Sequence, residues 1–326
     1  MNAQWSILAG LRFFLAWVVV CHHLSHCVPS NDLLVSFQSF TGFSAVLGFL
    51  LISGYSIACS ISKGNTGFYR RRFMRVYPLY LVAIFVSFIP FLIAGNEIVV
   101  LDSTKYQQPT LINLIGNLFF LQGFLVFPLG SNGVIWTLSV EVVCYLLAPL
   151  LVKLKPPVIL LLIAISAGCY IAFSQIALPN KDIAFLRYGL PLLLLSWAWL
   201  LGFFYFFHAK EPLAKVSIVL LGCFLLGFHG GNYGSLASFT YVLSALLLIY
   251  ATEITLPQKL CKVLDYLGEL SYPLYLFHTP AILLGYAAIG LKTSFSLMFL
   301  SLIFSALFYH VIDLPIRHKR VLGFRL

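Results

Sequence analysis

The feature that most constrains this chain is the recurrence of apolar runs about as long as a bilayer is thick. A transmembrane helix needs ~20 consecutive, mostly apolar residues. Such runs begin near residues 9, 43, 77, 133, 156, 186, 216, 235, 271 and 294. Inside hydrocarbon every backbone N–H and C=O must be paired within its own segment, so each run is expected to be helical. Composition agrees. Of 326 residues, 61% are hydrophobic and 9% are charged, with a mean hydropathy of +0.97, whereas a soluble domain carries about 25% charged residues. The expected fold is an all-α polytopic membrane protein with about ten transmembrane helices. A further apolar piece, Leu111 to Pro128, is interrupted by Asn113, Gly116, Asn117 and Gly123 and reads as a re-entrant or interfacial segment between the third and fourth spans.

The net charge of +10 invites a nucleic-acid reading, but the placement of the basic residues argues against it. With ten spans and both ends on one side, that side collects Lys63, Arg70, Arg71, Arg72, Arg75, Lys153, Lys155, Lys210, Lys215, Lys259, Lys262, Arg317, Lys319, Arg320 and Arg325. The opposite side holds Lys105, Lys181, Arg187 and Lys292. Cytoplasmic loops carry the Lys/Arg excess, so both termini are expected in the cytoplasm and the charge is mainly topogenic. The amino terminus lacks a basic segment ahead of its apolar core, and His22-His23 interrupts the region where a cleavage site would lie, so a cleaved signal is not indicated. Seven scattered cysteines without a CxxC pair suggest packing residues rather than a disulfide framework or a zinc site.

Charged and titratable groups within a span are costly unless they face a polar interior, and by default they mark function. The first span, LRFFLAWVVVCHHL, places Arg12 near its start and His22-His23 deeper. Arg12 and His23 are eleven residues apart, so they share one helix face about 16 Å apart along the axis. A snorkelling arginine and a hydrogen-bonded core histidine would explain each residue alone; the pair on one face favours a reaction or transport path. Phe68 to Pro78 (FYRRRFMRVYP) packs Arg70, Arg71, Arg72 and Arg75 into six residues. An orientation anchor and a phosphate platform are both consistent with that cluster. Glu141, in WTLSVE at the fourth span, falls about 12 Å into the bilayer, where a carboxylate must be protonated, paired or solvated. His278, in SYPLYLFHTP, lies two residues before a proline expected to open the helix and free carbonyls. Asp313, in DLPIR, is expected to pair with the Arg70–Arg75 loop. Small residues in FLLISGYS, around Ser53 and Gly54, suit close helix packing.

Taken in order, Arg-x10-His in the first span, the Ser-Gly-aromatic span, RRFMRVYP, WTLSVE, SYPLYLFH and DLP resemble the acyltransferase-3 family of integral-membrane acyltransferases, which modify bacterial surface polysaccharides and other exported glycans. The resemblance covers essentially the whole chain. The family's Arg/His pattern falls on Arg12 and His23, leaving His22 outside it, and its Arg-x-x-Arg pattern falls on Arg72 and Arg75. The second acidic position of the WTLSVE motif is Val142 here, and the closing acidic position is Asp313. A single transmembrane acyltransferase domain over 1–326, with no fused extracytoplasmic domain, is expected.

The resemblance implies an O-acyltransferase in the bacterial inner membrane. Its donor would be cytoplasmic acyl-CoA, usually acetyl-CoA, and its acceptor a hydroxyl of a surface polysaccharide, such as lipopolysaccharide O-antigen, or of a lipid-linked glycan. On that reading Arg70, Arg71, Arg72 and Arg75 hold CoA phosphates and a pantetheine arm runs past Arg12. His23 acts as general base, with Glu141 orienting or charge-balancing it and Arg12 steadying CoA or the developing charge. Trp136, Ser139 and His278 are assigned to substrate binding, and no metal is required. Membrane lipid is the surrounding partner, and nucleic acid is not one. A carrier or flippase using Arg12 and Glu141 as coupling charges is the alternative. A glycosyltransferase is disfavoured because no DxD-like metal cluster is present.

Overall fold

The computed structural model describes residues 3–29, 31–176, 182–228 and 235–317, and in it the apolar runs are helices. In chain order these are α1 (Gln4–Leu24), α2 (Gly42–Ser62), α3 (Phe68–Val86), α4 (Ile89–Ala94), α5 (Leu111–Leu118), α6 (Trp136–Leu151), α7 (Pro156–Gln175), α8 (Leu190–His208), α9 (Pro212–Gly227), α10 (Ser235–Tyr250), α11 (Gln258–Leu283) and α12 (Ser294–Phe308). Among the described residues, seven stretches are long and apolar enough to cross a bilayer: Gln4–Leu24, Gly42–Ser62, Phe68–Ala94, Gly133–Leu151, Pro156–Gln175, Leu190–His208 and Ser294–Arg317. That is fewer than the ten anticipated. α9 and α10 have 16 residues each, about 24 Å of rise against a hydrocarbon core of ~30 Å. α11 is long enough at 26 residues, but its first half carries Lys259, Lys262, Asp265 and Glu269. Large apolar side chains such as Leu92, Leu220 and Phe299 are more than half exposed, as a lipid-facing surface requires.

The segment after α4 departs from the all-helical expectation. Strands β1 (Glu97–Val99) and β2 (Lys105–Gln107) form an antiparallel hairpin in which Ile98 faces Tyr106. Ile98 is buried with Cys27, Val28 and Phe91 at the carboxyl end of α1. Within Leu111 to Pro128 the chain forms only the eight-residue α5 and a folded loop, too short to span. Its polar residues hold that loop together. Asn117 Nδ2 donates to Asn113 O at 2.7 Å and Phe127 O at 2.9 Å, and Gln122 Nε2 donates to Ile135 O at 3.0 Å.

Close helix approach organises the centre. A Cβ on Gly54 would collide with the backbone oxygen of Trp199, and one on Gly202 with that of Leu51. α2 and α8 therefore touch backbone to backbone, which only small residues permit. α1 and α11 run parallel, with Gly268 against Ala9 at one end and His278 beside His23 at the other. Pro280 does not open α11, contrary to expectation. It leaves the Leu276 carbonyl without its helical donor, and Asn132 Nδ2 supplies one at 3.0 Å. α12 closes over α11, with Phe308 stacked on Phe277 and Ser305 Oγ bonded to Leu270 O at 3.0 Å.

Candidate active site

One end of α1, α2, α3, α6 and α11 encloses a cavity of about 690 Å³. Its charged lining is one-sided: Arg12, Lys63, Arg71, Arg72 and Arg75 against the single carboxylate of Glu141. The α-helical repeat explains the selection among the arginines, since Arg71, Arg72 and Arg75 fall within one face and the turn next to it. Arg70 is exposed and is not among the lining residues.

Two of the lining guanidinium groups are underused. Arg12 Nε and Arg72 Nε are buried and have no hydrogen-bond partner. Arg72 is held instead by aromatic faces, its Cζ lying 5.6 Å from the Phe68 ring centroid and 5.9 Å from that of Tyr145. Buried N–H groups of this kind favour an anionic acceptor.

Glu141 sits opposite. Its Oε1 accepts from Ser53 Oγ at 2.8 Å and from Tyr145 OH, one turn further along α6. Among the described residues, the hydrogen bonds to Glu141 come from these two hydroxyls and not from an imidazole. Asp313 departs from expectation as well. It pairs with Arg317, which also lies 3.6 Å from Glu269, because an i,i+4 partner on its own helix is nearer than the α3 arginines.

The imidazoles form a second cluster beyond the cavity. His23 is not among the cavity-lining residues. The open shaft expected along α1 stops at Thr137 and Tyr275, whose hydroxyls lie 2.8 Å apart, with the Phe49 ring at 5.7 Å from that of Tyr275. His278 lies one turn past Tyr275 on α11, fully buried, and its ring centroid is 5.1 Å from that of His23. His23 Nδ1 donates to Val19 O at 2.9 Å, while His278 Nδ1 donates to Leu274 O and Tyr275 O at 3.0 and 2.9 Å. A carbonyl can only accept, so in both neutral rings Nε2 carries the free lone pair. His278 Nε2 has no partner.

His22 and His26 complete the cluster, with ring centroids 5.3 and 6.1 Å from His23. His26 Nδ1 meets Asp102 Oδ2 at 2.6 Å, and the Asp102 N–H returns a bond to His26 O at 3.3 Å. This tie fastens the hairpin loop to the end of α1. Trp136 and Ser139 are buried at the start of α6, where Ser139 Oγ donates to Trp136 O at 2.7 Å, and neither is among the residues lining the cavity.

The order of parts is thus a basic cavity, a tyrosine floor and an imidazole pair. A family model described as an acyltransferase domain, acyltransferase family 3, matches residues 5–310. This chain belongs to the acyltransferase-3 family. Arg12, His23, Arg72, Arg75 and Glu141 all fall inside the matched region. The chain is 35% identical over 162 residues to the acyltransferase MdmB of Streptomyces mycarofaciens, covering 45% of this chain and 39% of that protein. It is 24% identical over 311 residues to ORF330 of Acidianus two-tailed virus, provisionally named an acetyltransferase, covering 89% of each. No solved structure matches significantly. The protein is an acyltransferase with the helical character of a multi-pass membrane protein.

Several site residues escaped sequence reasoning. Tyr145 was within reach as the i+4 neighbour of Glu141. His26 shares a helix end with His23, but Asp102 arrives from 76 residues away. Ser53, Thr137 and Tyr275 come from three different helices, and nothing in their spacing announces it.

Proposed function

We propose that this protein moves an acyl group, most naturally acetyl, from cytoplasmic acyl-CoA to a hydroxyl of a surface polysaccharide or lipid-linked glycan. The observation that carries this reading is the cavity itself. It has five cations facing one carboxylate, two buried guanidinium N–H groups without partners, and a floor that abuts an imidazole pair. Its volume of about 690 Å³ falls in the range of small-molecule pockets, roughly 300–1,000 Å³.

Arg71, Arg72 and Arg75 suit CoA phosphates because guanidinium forks match phosphate oxygens two at a time, and Lys63 adds an ammonium point charge. Arg70 is left out of that set by its position. Arg12, deeper in the cavity, steadies charge nearer the thioester. Glu141 anchors Ser53 and Tyr145 and balances Arg12 and Arg72. His23, with Nδ1–H fixed on Val19 O, presents Nε2 to take the proton from the acceptor hydroxyl. Trp136 and Ser139 act on substrate from behind, by fixing the first turn of α6 beside Thr137. In this reading both termini face the cytoplasm of a bacterial inner membrane. The donor enters from the basic side and the acceptor from the side of His26 and Asp102.

The test uses purified protein in liposomes with labelled acetyl-CoA and candidate glycans. An O-acetyl ester on the glycan, lost in His23→Ala, supports the reading. Movement of an intact anionic or lipid-linked substrate without consumption of acetyl-CoA would instead establish a carrier.

A further inference from the structure

His23 and His278 are the same device built twice. Each lies on a helix face at the junction of α1 and α11, and each spends Nδ1–H on a carbonyl of its own helix. Each is thereby held in the tautomer whose Nε2 is a bare acceptor. A fully buried acceptor without a donor is costly, and of the two rings it is His278, fully buried, that carries one. A structural kink histidine needs only its Nδ1 bond. The unpartnered Nε2 of His278 points to a donor that arrives during the reaction.

The reaction supplies one. Acyl transfer from a thioester to a hydroxyl forms a C–O bond, breaks a C–S bond and moves one proton from oxygen to sulfur, with none gained or lost overall. A base on the acceptor side and an acid on the donor side can pass that proton between them, provided the two groups touch. His23 lies toward His22 and His26, the side proposed above for the acceptor. The ring of His278 is 6.2 Å from that of Tyr275 in the cavity floor, the side proposed for the donor.

We propose that His278 is the second proton-handling residue of this enzyme. His23 Nε2 takes the hydroxyl proton as oxygen attacks the thioester carbon. The resulting Nε2–H of His23 donates to Nε2 of His278, which delivers the proton to the departing thiolate and returns to its neutral form. This inference rests on the acyl-transfer reading above and adds a residue and a direction to it.

The test is His278→Asn, whose side-chain N–H can still bond the Leu274 and Tyr275 carbonyls but which has no counterpart to Nε2. With acetyl-CoA, kcat should fall on the order of 10²-fold or more while KM for acetyl-CoA changes little. A thioester of an aryl thiol needs no proton on its leaving group, since thiols of lower pKa depart more readily. The His278→Asn defect should therefore shrink at least tenfold with that donor, whereas the His23→Asn defect should persist. Thermal unfolding in detergent checks that the variant is folded, and His278→Gln replaces it if it is not. A His278→Asn rate within about threefold of wild type, or an equal loss with both thioesters, overturns the relay. Absence of any transfer by the wild-type enzyme would instead count against the proposed function.

Discussion

Four arginines stand within six residues of one another, and only their positions in the folded chain distinguish them. Arg72 lies in the cavity wall between the Phe68 and Tyr145 rings with its Nε unpartnered, whereas Arg70 is exposed and outside the lining. Truncating Arg72 to alanine breaks no hydrogen bond made by that Nε, so its main cost should appear when the anionic donor binds. A hydrogen bond to a charged group contributes about 1.5–3 kcal/mol. At about 1.4 kcal/mol per factor of ten, Arg72→Ala should raise KM for acetyl-CoA roughly 10- to 150-fold. Arg72→Lys keeps the charge but loses the planar fork and should fall between the two. Arg70→Ala removes a solvated surface charge and should shift KM by no more than about twofold. The assay is steady-state transfer from labelled acetyl-CoA in proteoliposomes at fixed ionic strength, with acceptor saturating. Equal effects from Arg70→Ala and Arg72→Ala would refute the reasoning, because the charges would then act as an undifferentiated field rather than as a site.

Other outcomes follow from the same geometry. Gly54→Val should destabilise the protein by about 1–3 kcal/mol or more through overpacking against the Trp199 carbonyl, read as a lower midpoint of thermal unfolding in detergent. Gly168→Ala, where a Cβ meets nothing within 4 Å, should be close to neutral in the same assay. Glu141→Ala should strand the Ser53 and Tyr145 hydroxyls and cost about 1–3 kcal/mol; Glu141→Gln, which keeps a carbonyl acceptor, should cost less by the same measurement. The Asp102 carboxyl, in the loop outside the spans, is pushed up by burial but more strongly down by its bonds to His26 and Thr104, so its pKa is lowered. Its stabilisation is therefore complete above the unfolded carboxylate pKa of about 3.9 and is lost as pH falls through the lowered folded value. Hydrogen exchange of the Asp102 amide should accelerate only in that acidic window, and Asp102→Asn should remove the transition.

Sequence periodicity carried the helices because a bilayer leaves a chain few other ways to satisfy its backbone. It was weakest where that rule relaxes. The 97–107 hairpin and the loop around Asn117 and Gln122 lie where side chains and neighbouring strands satisfy the backbone. The short α9 and α10 blurred the span count because apolarity fixes where a helix runs but not whether it reaches both surfaces. Arg12, His23 and Glu141 were legible as unusual residues for a membrane span, and Arg72 and Arg75 as members of a dense basic loop. Their grouping was only half legible. One helix face placed Arg12 and His23 in line, yet the Tyr275–Thr137 floor that separates them is assembled from α6 and α11, and no local pattern encodes it. Glu141 was noticed for its cost, while its partners Ser53 and Tyr145 depend on how α2 meets α6.

The glycine contact between α2 and α8 bears on how a donor enters. Two helices that meet main chain to main chain cannot slide past one another without breaking that fit, so this wall of the cavity behaves as a fixed jamb. α3 is fastened more loosely near its arginines, by bonds such as Tyr69 OH to Leu146 O at 3.1 Å and Tyr272 OH to Val76 O at 3.0 Å. Under the proposed function, loading and unloading of the cavity would fall to α3, which carries Arg71, Arg72 and Arg75, so that the door and its handle would be the same piece of chain.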